Sequence, residues 1–327
     1  MRVAVIDVGT VTARLAIADV ENGRVVRMAK QSNIVNLGEG VDQTGELRPE
    51  ACLRLLECID QYLAAIAQAN VAAVCCTLTS AARDARNSGD LLGALEARGL
   101  TAQVIPGEVE GRLTFLGVAQ DFVATRLLVA DNGGGSTEFA MGRLTEDGVL
   151  DLDFVQSIDV GCRRMTEKFL QVDDPPTQQS IDQAHAFAAQ AFAPLAATWM
   201  QAAEPPRRLV VTGGTSTTLV ALVKALVPYD PAQVHLATLT LDQVTEQERR
   251  LAALTALQRA ELPGIQPKRA PVILGGAIAV SEVLRAWGLD ELTVSESDLL
   301  FGLSLTLAAA AQGQPTPVGW APDVKRS

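Results

Sequence analysis

The sequence predicts an α/β protein of two related lobes, each a mixed sheet flanked by helices, with a cleft between them. Three observations predict it. An apolar strand runs into a glycine turn and a second strand twice, at Val3–Thr12 and at Leu127–Glu138. The aspartates ending the first strands, Asp7 and Asp131, lie 124 residues apart, the period of a duplicated lobe rather than of a short repeat. Strand-like apolar runs alternate with helical spacing in both halves, the signature of a layered α/β chain.

The first lobe, residues 1–120, opens with strands at Arg2–Ile6, Arg14–Val20 and Arg24–Ala29. Glu21-Asn-Gly23 joins the last two as a hairpin turn. Leu53, Leu56, Ile59, Leu63 and Ile66 recur at helical spacing after Pro49, which suits a helix start. Val71–Thr77 reads as a strand, Asp90–Arg98 as a helix, Gln103–Ile105 as a strand and Glu108–Val118 as a helix. The second lobe, residues 121–312, repeats the plan with strands at Leu127–Ala130, Thr137–Met141 and Leu152–Ser157. A long helix follows at Gln178–Gln201, with Pro194 expected to kink it. Leu209–Val211 is a strand entering a glycine turn and helix, and Pro271–Ala286, Leu292–Val294 and Leu299–Ala311 complete the lobe. The last helix is placed to pack back on the first lobe. Residues 313–327 form an irregular tail.

Composition bounds the function. The 327 residues allow one large or two medium domains, and 48% hydrophobic content is ample for a core. A net charge of −11 argues against nonspecific nucleic-acid binding, which depends on neutralising phosphates with Lys and Arg. Aromatics at 4% are too few for base-stacking platforms. Cys52, Cys58, Cys75, Cys76 and Cys162 form no C-x-x-C pair and read as reduced core thiols. No leader pattern opens the chain. The most apolar helix candidate, Ala270–Trp287, carries Glu282 and Arg285 and is too short to span a bilayer. A cytoplasmic protein with neither a membrane nor a nucleic-acid partner is expected.

Three turns suit phosphate. Gly9, Thr10 and Thr12 follow Asp7, and glycine lets backbone amides approach an anion. The same pattern also describes an ordinary hairpin turn. Asp131-Asn-Gly133-Gly134-Gly135-Ser136-Thr137-Glu138 is more specific, because three successive glycines cost backbone entropy that a cradled phosphate offsets. Its carboxylates Asp131 and Glu138 suit Mg²⁺, which takes oxygen ligands and substrate phosphates. Gly213, Gly214 and Thr215 sit between a strand end and a helix start, where amides and the helix dipole attract anions; helix capping alone is the other account. Arg83, just after a strand, can clamp phosphate bidentately or simply face solvent. Glu110 lies on the first turn of a helix. The dipole there favours the ionised carboxylate, which suits a base for water and equally an ordinary helix start.

In order and spacing these segments resemble the exopolyphosphatase/guanosine pentaphosphate phosphohydrolase (Ppx/GppA) family of the actin–sugar kinase–chaperone ATPase superfamily. The resemblance spans about residues 3–310. It rests on Asp7-x-Gly-Thr with Arg14, Thr79-Ser-Ala-x-Arg83-x-Ala-x-Asn87, and Gly107-x-x-Glu110-Gly-Arg112-Leu. It continues through Asp131-x-Gly-Gly-Gly-Ser-Thr-Glu138, Gly161-x-x-Arg164, Thr212-x-Gly-Gly-Thr and Arg269-Ala with Gly275 and Gly276. It implies a duplicated actin-like (ribonuclease H-like) fold and Mg²⁺- or Mn²⁺-assisted hydrolysis of a terminal phosphoanhydride. By motif position Glu110 is the implied general base and Arg83 a phosphate clamp. Gly9, Thr10, Thr12, Asn87, Gly133–Thr137, Arg164 and Gly213–Thr215 are implied to meet substrate, with Asp7, Asp131 and Glu138 near the metal. Inorganic polyphosphate is the implied substrate and guanosine pentaphosphate the alternative; a kinase or a non-catalytic guanosine-polyphosphate binder is more remote. A homodimer is also implied.

The chain departs from the family pattern at four places. Val11 stands where Asn is usual, Asn132 where an apolar strand residue is usual, and Val109 replaces the first acid of a Glu-Glu pair. Leu299-Leu-Phe-Gly302 replaces Leu-Arg-Glu-Gly. The helical extension of longer members is absent from the sequence.

Overall fold

The computed structural model describes residues 1–202, 204–206 and 208–326. Its strands are β1 (Arg2–Val8), β2 (Thr12–Glu21), β3 (Arg24–Ile34), β4 (Ala73–Leu78), β5 (Ala102–Val104), β6 (Leu127–Asn132), β7 (Thr137–Leu144), β8 (Leu150–Ile158), β9 (Leu209–Thr212), β10 (Thr238–Thr240), β11 (Glu291–Val294) and β12 (Lys325–Arg326). They form two mixed six-stranded sheets. One runs β12-β4-β1-β2-β3 with β5 on β4, and the other runs β10-β11-β9-β6-β7-β8.

The topology is that of a duplication. In the first sheet β1 and β2 are antiparallel, β4 lies parallel beside β1, and β5 parallel beside β4. In the second, β6 and β7 are antiparallel, β9 lies parallel beside β6, and β11 parallel beside β9. Asn22 at φ 50° and Gly23 at φ 72° turn β2 into β3, the two positive angles that a two-residue hairpin needs.

The chain divides into two compact units. Unit 1 holds Met1–Thr125, Arg143–Asp151 and the residues from Ser297 on; unit 2 holds Arg126–Gly142 and Leu152–Glu296. In unit 1 the core joins Ile6, Val8 and Leu15 of the sheet to Leu55, Ile59 and Tyr62 of the Pro49–Gln68 helix. The buried stripe of that helix runs through Ala51, Leu55, Cys58, Ile59, Tyr62 and Ile66. Leu53, counted into the expected periodicity, is 61% exposed and faces away. The Leu299–Ala311 helix packs on the Gly107–Ala119 helix and on β1. The two helices approach closely at Gly117 and Gly302, where a β-carbon would collide with the backbone of Asp298 and of Leu113.

Unit 2 is centred on an aromatic cluster. Phe139 stacks on Trp287 at 4.9 Å and meets Phe192 edge-on at 5.3 Å, with Trp199 beside them. The Gln178–Trp199 helix is one element that carries Pro194 inside it. The tail after Gln312 is irregular except for Lys325–Arg326, which pairs antiparallel with β4; Ser327 lies outside the described residues. Among the described residues no helix is long and apolar enough to cross a membrane.

Candidate active site

Two turns are built alike, one in each unit. In unit 1 the β1–β2 register sets Asp7 opposite Arg14, and the Gly9 amide donates to the Thr12 carbonyl at 2.8 Å. In unit 2 the β6–β7 register sets Asp131 opposite Glu138, and the Gly133 amide donates to the Ser136 carbonyl at 3.0 Å. Seven residues separate the two partners in both pairs.

The carbonyls of both turns are engaged; in unit 1 the Thr10 carbonyl accepts from the Gly38 amide at 2.9 Å and the Val11 carbonyl from those of Val35 at 3.0 Å and Asn36 at 2.9 Å. In unit 2 the Gly133 carbonyl accepts from the Cys162 amide at 2.9 Å, and the Gly134 carbonyl from those of Arg163 at 2.8 Å and Arg164 at 3.2 Å. Gly161 makes this approach possible, because a β-carbon there would sit 2.5 Å from the Gly134 carbonyl. The Arg164 side chain, expected to meet substrate, donates through Nε to the Gly135 carbonyl at 2.7 Å and so braces the turn. With these carbonyls engaged, the amides of Gly134, Gly135 and Ser136 have no acceptor among the described residues. Successive amides of this kind form an anion-binding concavity.

The carboxylate pair of unit 2 is held by hydroxyls. Glu138 is buried, and its Oε1 accepts from Ser136 Oγ at 2.6 Å and from Ser157 Oγ at 2.7 Å. The Ser136 hydroxyl is thereby turned to Glu138, leaving its amide for an anion. Thr137 Oγ1 donates to the Val160 carbonyl at 2.5 Å and so braces the turn. Gly213, at φ 102°, lies against the other side of β6, where a β-carbon would meet the Asn132 carbonyl at 2.7 Å and Asp131 Oδ1 at 3.1 Å. The Arg269 guanidinium lies over Gly214. Thr215 is buried at the start of the Gly214–Val223 helix.

In unit 1, Arg14 reaches Asp7 Oδ2 at 2.7 Å and Asp298 Oδ2 at 2.9 Å. Asp298 also caps the Leu299–Ala311 helix by accepting from the Leu300 amide at 3.0 Å. Burial pushes the Asp7 carboxyl up from its ordinary value, and the Arg14 guanidinium opposes this without cancelling it. Asp7 Oδ1 and Thr10 Oγ1 are buried and make no hydrogen bond in the protein. Thr12 begins β2, and its carbonyl closes the turn.

Glu110 sits on the first turn of the Gly107–Ala119 helix, almost fully buried. Its Oε2 accepts from Arg83 Nη1 at 3.0 Å, and the same nitrogen donates to the Ile105 carbonyl at 3.0 Å. Arg83 thus orients the carboxylate. Asn87, expected to meet substrate, has its side chain on Leu47, donating to the carbonyl at 3.0 Å and accepting from the amide at 2.8 Å.

A divalent ion has one set of donors that suits it. Asp131 and Glu138 are two carboxylates at a single cross-strand position, where like charges are unfavourable unless a positive charge joins them. Mg²⁺ is typically held by one or two carboxylates and the substrate's phosphates rather than by a full protein cage. Among the described residues there is no group of three or more His, Cys, Asp or Glu that could hold a metal ion. Asp7 fits less well, since Arg14 already meets its charge.

Two similarly built mixed sheets, each with a glycine turn after its first strand, are the fold class the sequence predicts. The chain belongs to the Ppx/GppA phosphatase family, whose model matches residues 16–308. It is 38% identical over 324 residues to exopolyphosphatase 2 of Mycobacterium tuberculosis, covering 94% of this chain and 98% of that one. The crystal structure of the Aquifex aeolicus Ppx/GppA family member superposes with a TM-score of 0.77 at 30% identity, covering 95% of this chain and 98% of that one. An exopolyphosphatase from Cytophaga hutchinsonii superposes at 0.83 with 26% identity, covering 98% of this chain and all of that one (100%).

Sequence reasoning singled out the turns and Glu110. It did not assign Ser157, Arg269 or Asp298. Arg14 was within reach of sequence alone, because counting outward from the Gly9 turn places it opposite Asp7. Ser157 lies on a third strand, and nothing local marks it.

Proposed function

We propose that this chain is an exopolyphosphatase that releases terminal orthophosphate from inorganic polyphosphate. The observation that carries the reading is the Gly133–Ser136 turn, whose carbonyls are engaged and whose successive amides are left as donors beside a carboxylate pair. The names of the relatives support the substrate class.

Water attacks the terminal phosphorus, Glu110 takes the water proton, and the bond to the bridging oxygen breaks. The products are orthophosphate and a chain one phosphate shorter. Arg83 holds Glu110 in place through its 3.0 Å bond, and the amides of Gly134, Gly135 and Ser136 bind the phosphoryl oxygens as charge spreads over them. Such transfers depend on positioning and charge stabilisation. Mg²⁺ or Mn²⁺, held by Asp131 and Glu138, would neutralise phosphate charge. A cytoplasmic homodimer belongs to the same reading, and the five cysteines are free, in keeping with a reducing compartment.

Phosphate release from polyphosphate and from guanosine pentaphosphate, assayed side by side, tests the substrate. Faster release from the nucleotide overturns the polyphosphate reading in favour of the nucleotide phosphohydrolase. Binding of guanosine polyphosphates without release identifies a sensor, and ATP-dependent phosphorylation of an acceptor identifies a kinase. Glu110→Gln tests the base: kcat is expected to fall roughly 10²–10⁴-fold with substrate binding retained.

A further inference from the structure

Asn132 is a buried polar residue in an otherwise largely apolar strand. It ends β6 beneath the triple-glycine turn and is 2% exposed. Its cross-strand partner is Thr137, the first residue after the turn. Asn132 Nδ2 donates to Thr137 Oγ1 at 2.9 Å, and that hydroxyl donates onward to the Val160 carbonyl at 2.5 Å. Val160 precedes Gly161 and the amides of Cys162, Arg163 and Arg164, which fix the Gly133 and Gly134 carbonyls.

The relay therefore joins the foot of the turn to the segment against which the turn leans. The peptide planes of Gly133 and Gly134 are pinned from one side, and their orientation decides which way the following amides point. Asn132 Oδ1 is buried without a hydrogen-bond partner among the described residues, which costs stability rather than adding to it. An apolar side chain would fill the position without that cost, so its polarity calls for another explanation.

We propose that Asn132 is a positioning residue that sets the Gly133–Ser136 amides for the terminal phosphate of the substrate, through Thr137 and Val160. The proposal rests on the reading of that turn as a phosphate cradle. Two kinds of measurement test it: KM and kcat on polyphosphate, and binding of inorganic pyrophosphate by calorimetry, which needs no turnover.

Asn132→Val is expected to raise KM and weaken pyrophosphate binding about tenfold, a loss of about 1.4 kcal/mol, with Tm unchanged or higher. Thr137→Val should reproduce the defect, Thr137→Ser should restore it to wild type, and the double variant Asn132→Val/Thr137→Val should be no worse than either single. Wild-type KM and pyrophosphate affinity in Asn132→Val overturn the proposal, as does a fall in Tm and kcat together at unchanged KM. Should Asn132→Val fail to fold, the Thr137 pair decides: equal affinity in Thr137→Val and Thr137→Ser overturns it. If Gly134→Val leaves pyrophosphate binding intact, the cradle reading itself fails, whatever the Asn132 variants do.

Discussion

The two glycine turns share a register and differ in one charge. In unit 1 the residue opposite the strand-ending aspartate is Arg14; in unit 2 it is Glu138. The first pair is closed by an ion pair of 2.7 Å, extended by Asp298 into a carboxylate–guanidinium–carboxylate chain. The second places two carboxylates at one position and steadies Glu138 with two serine hydroxyls. One copy of the duplicated hairpin carries its cation covalently, as a side chain. The other pairs two carboxylates, which we propose as the donor set for a divalent ion. On the reading proposed above, a common frame carries an ion-paired turn in unit 1 and the phosphate cradle in unit 2.

The widest separation of the two turns should come from divalent-ion binding. Glu138→Gln is expected to weaken Mn²⁺ binding more than about 10²-fold, beyond what loss of an outer-shell partner costs. Asp7→Asn should leave it unchanged. Equal losses, read by calorimetry or by Mn²⁺ electron paramagnetic resonance, would break the comparison. Next in size is the stability of unit 1. Arg14→Met strands a buried carboxylate and is expected to cost about 3 kcal/mol in denaturant unfolding, with much of it restored in Arg14→Met/Asp7→Asn. A fully stable Arg14→Met would show that the guanidinium is not the counter-charge proposed. Ser157→Ala should then weaken Mn²⁺ binding about tenfold, toward the low end for an outer-shell hydrogen bond, with little change in Tm. Wild-type affinity there would leave Ser136 as the hydroxyl that matters.

The smallest effect belongs to a second charge cluster in unit 2. His185 lies 2.7 Å from both Glu248 and Glu282, with Arg285 beside it, and so links three helices. Hydrogen bonds from the imidazole to Glu248 and Glu282 raise its pKa to about 9, against burial. Its folded value exceeds the ordinary 6.5. The stabilisation is therefore complete below about 6.5 and lost as pH rises through about 9. Tm of the wild type should exceed that of His185→Gln at neutral pH, and the gap should close at alkaline pH. A pH-independent gap would mean that packing alone accounts for the cluster.

Much of the frame is legible in the sequence because local chemistry determines it. The Glu21-Asn-Gly23 hairpin and the strand ends at Asp7 and Asp131 follow from apolar runs broken by glycine. The Leu299–Ala311 helix has the expected bounds. The stretch from 231 to 270 escaped that reading. Its Leu241–Ala252 helix is largely polar, so apolar spacing is faint, although the capping boxes Thr240–Gln243 and Thr255–Gln258 mark two helix starts. The tie of Asn87 to Leu47 was not legible for a different reason: the two lie 40 residues apart, and no window along the chain brings them together. Glu110 was legible as a helix-start acid, while its tie to Arg83 needed the fold.

Unit 1 is assembled from three separate stretches of chain, and the last begins at Ser297. During synthesis the ribosome delivers all of unit 2 before that stretch exists. Until Asp298 and the Leu299–Ala311 helix emerge, Arg14 lacks one carboxylate and the Gly107–Ala119 helix lacks the surface it packs on. A nascent chain halted near residue 296 would then carry Glu110 on an unfinished support.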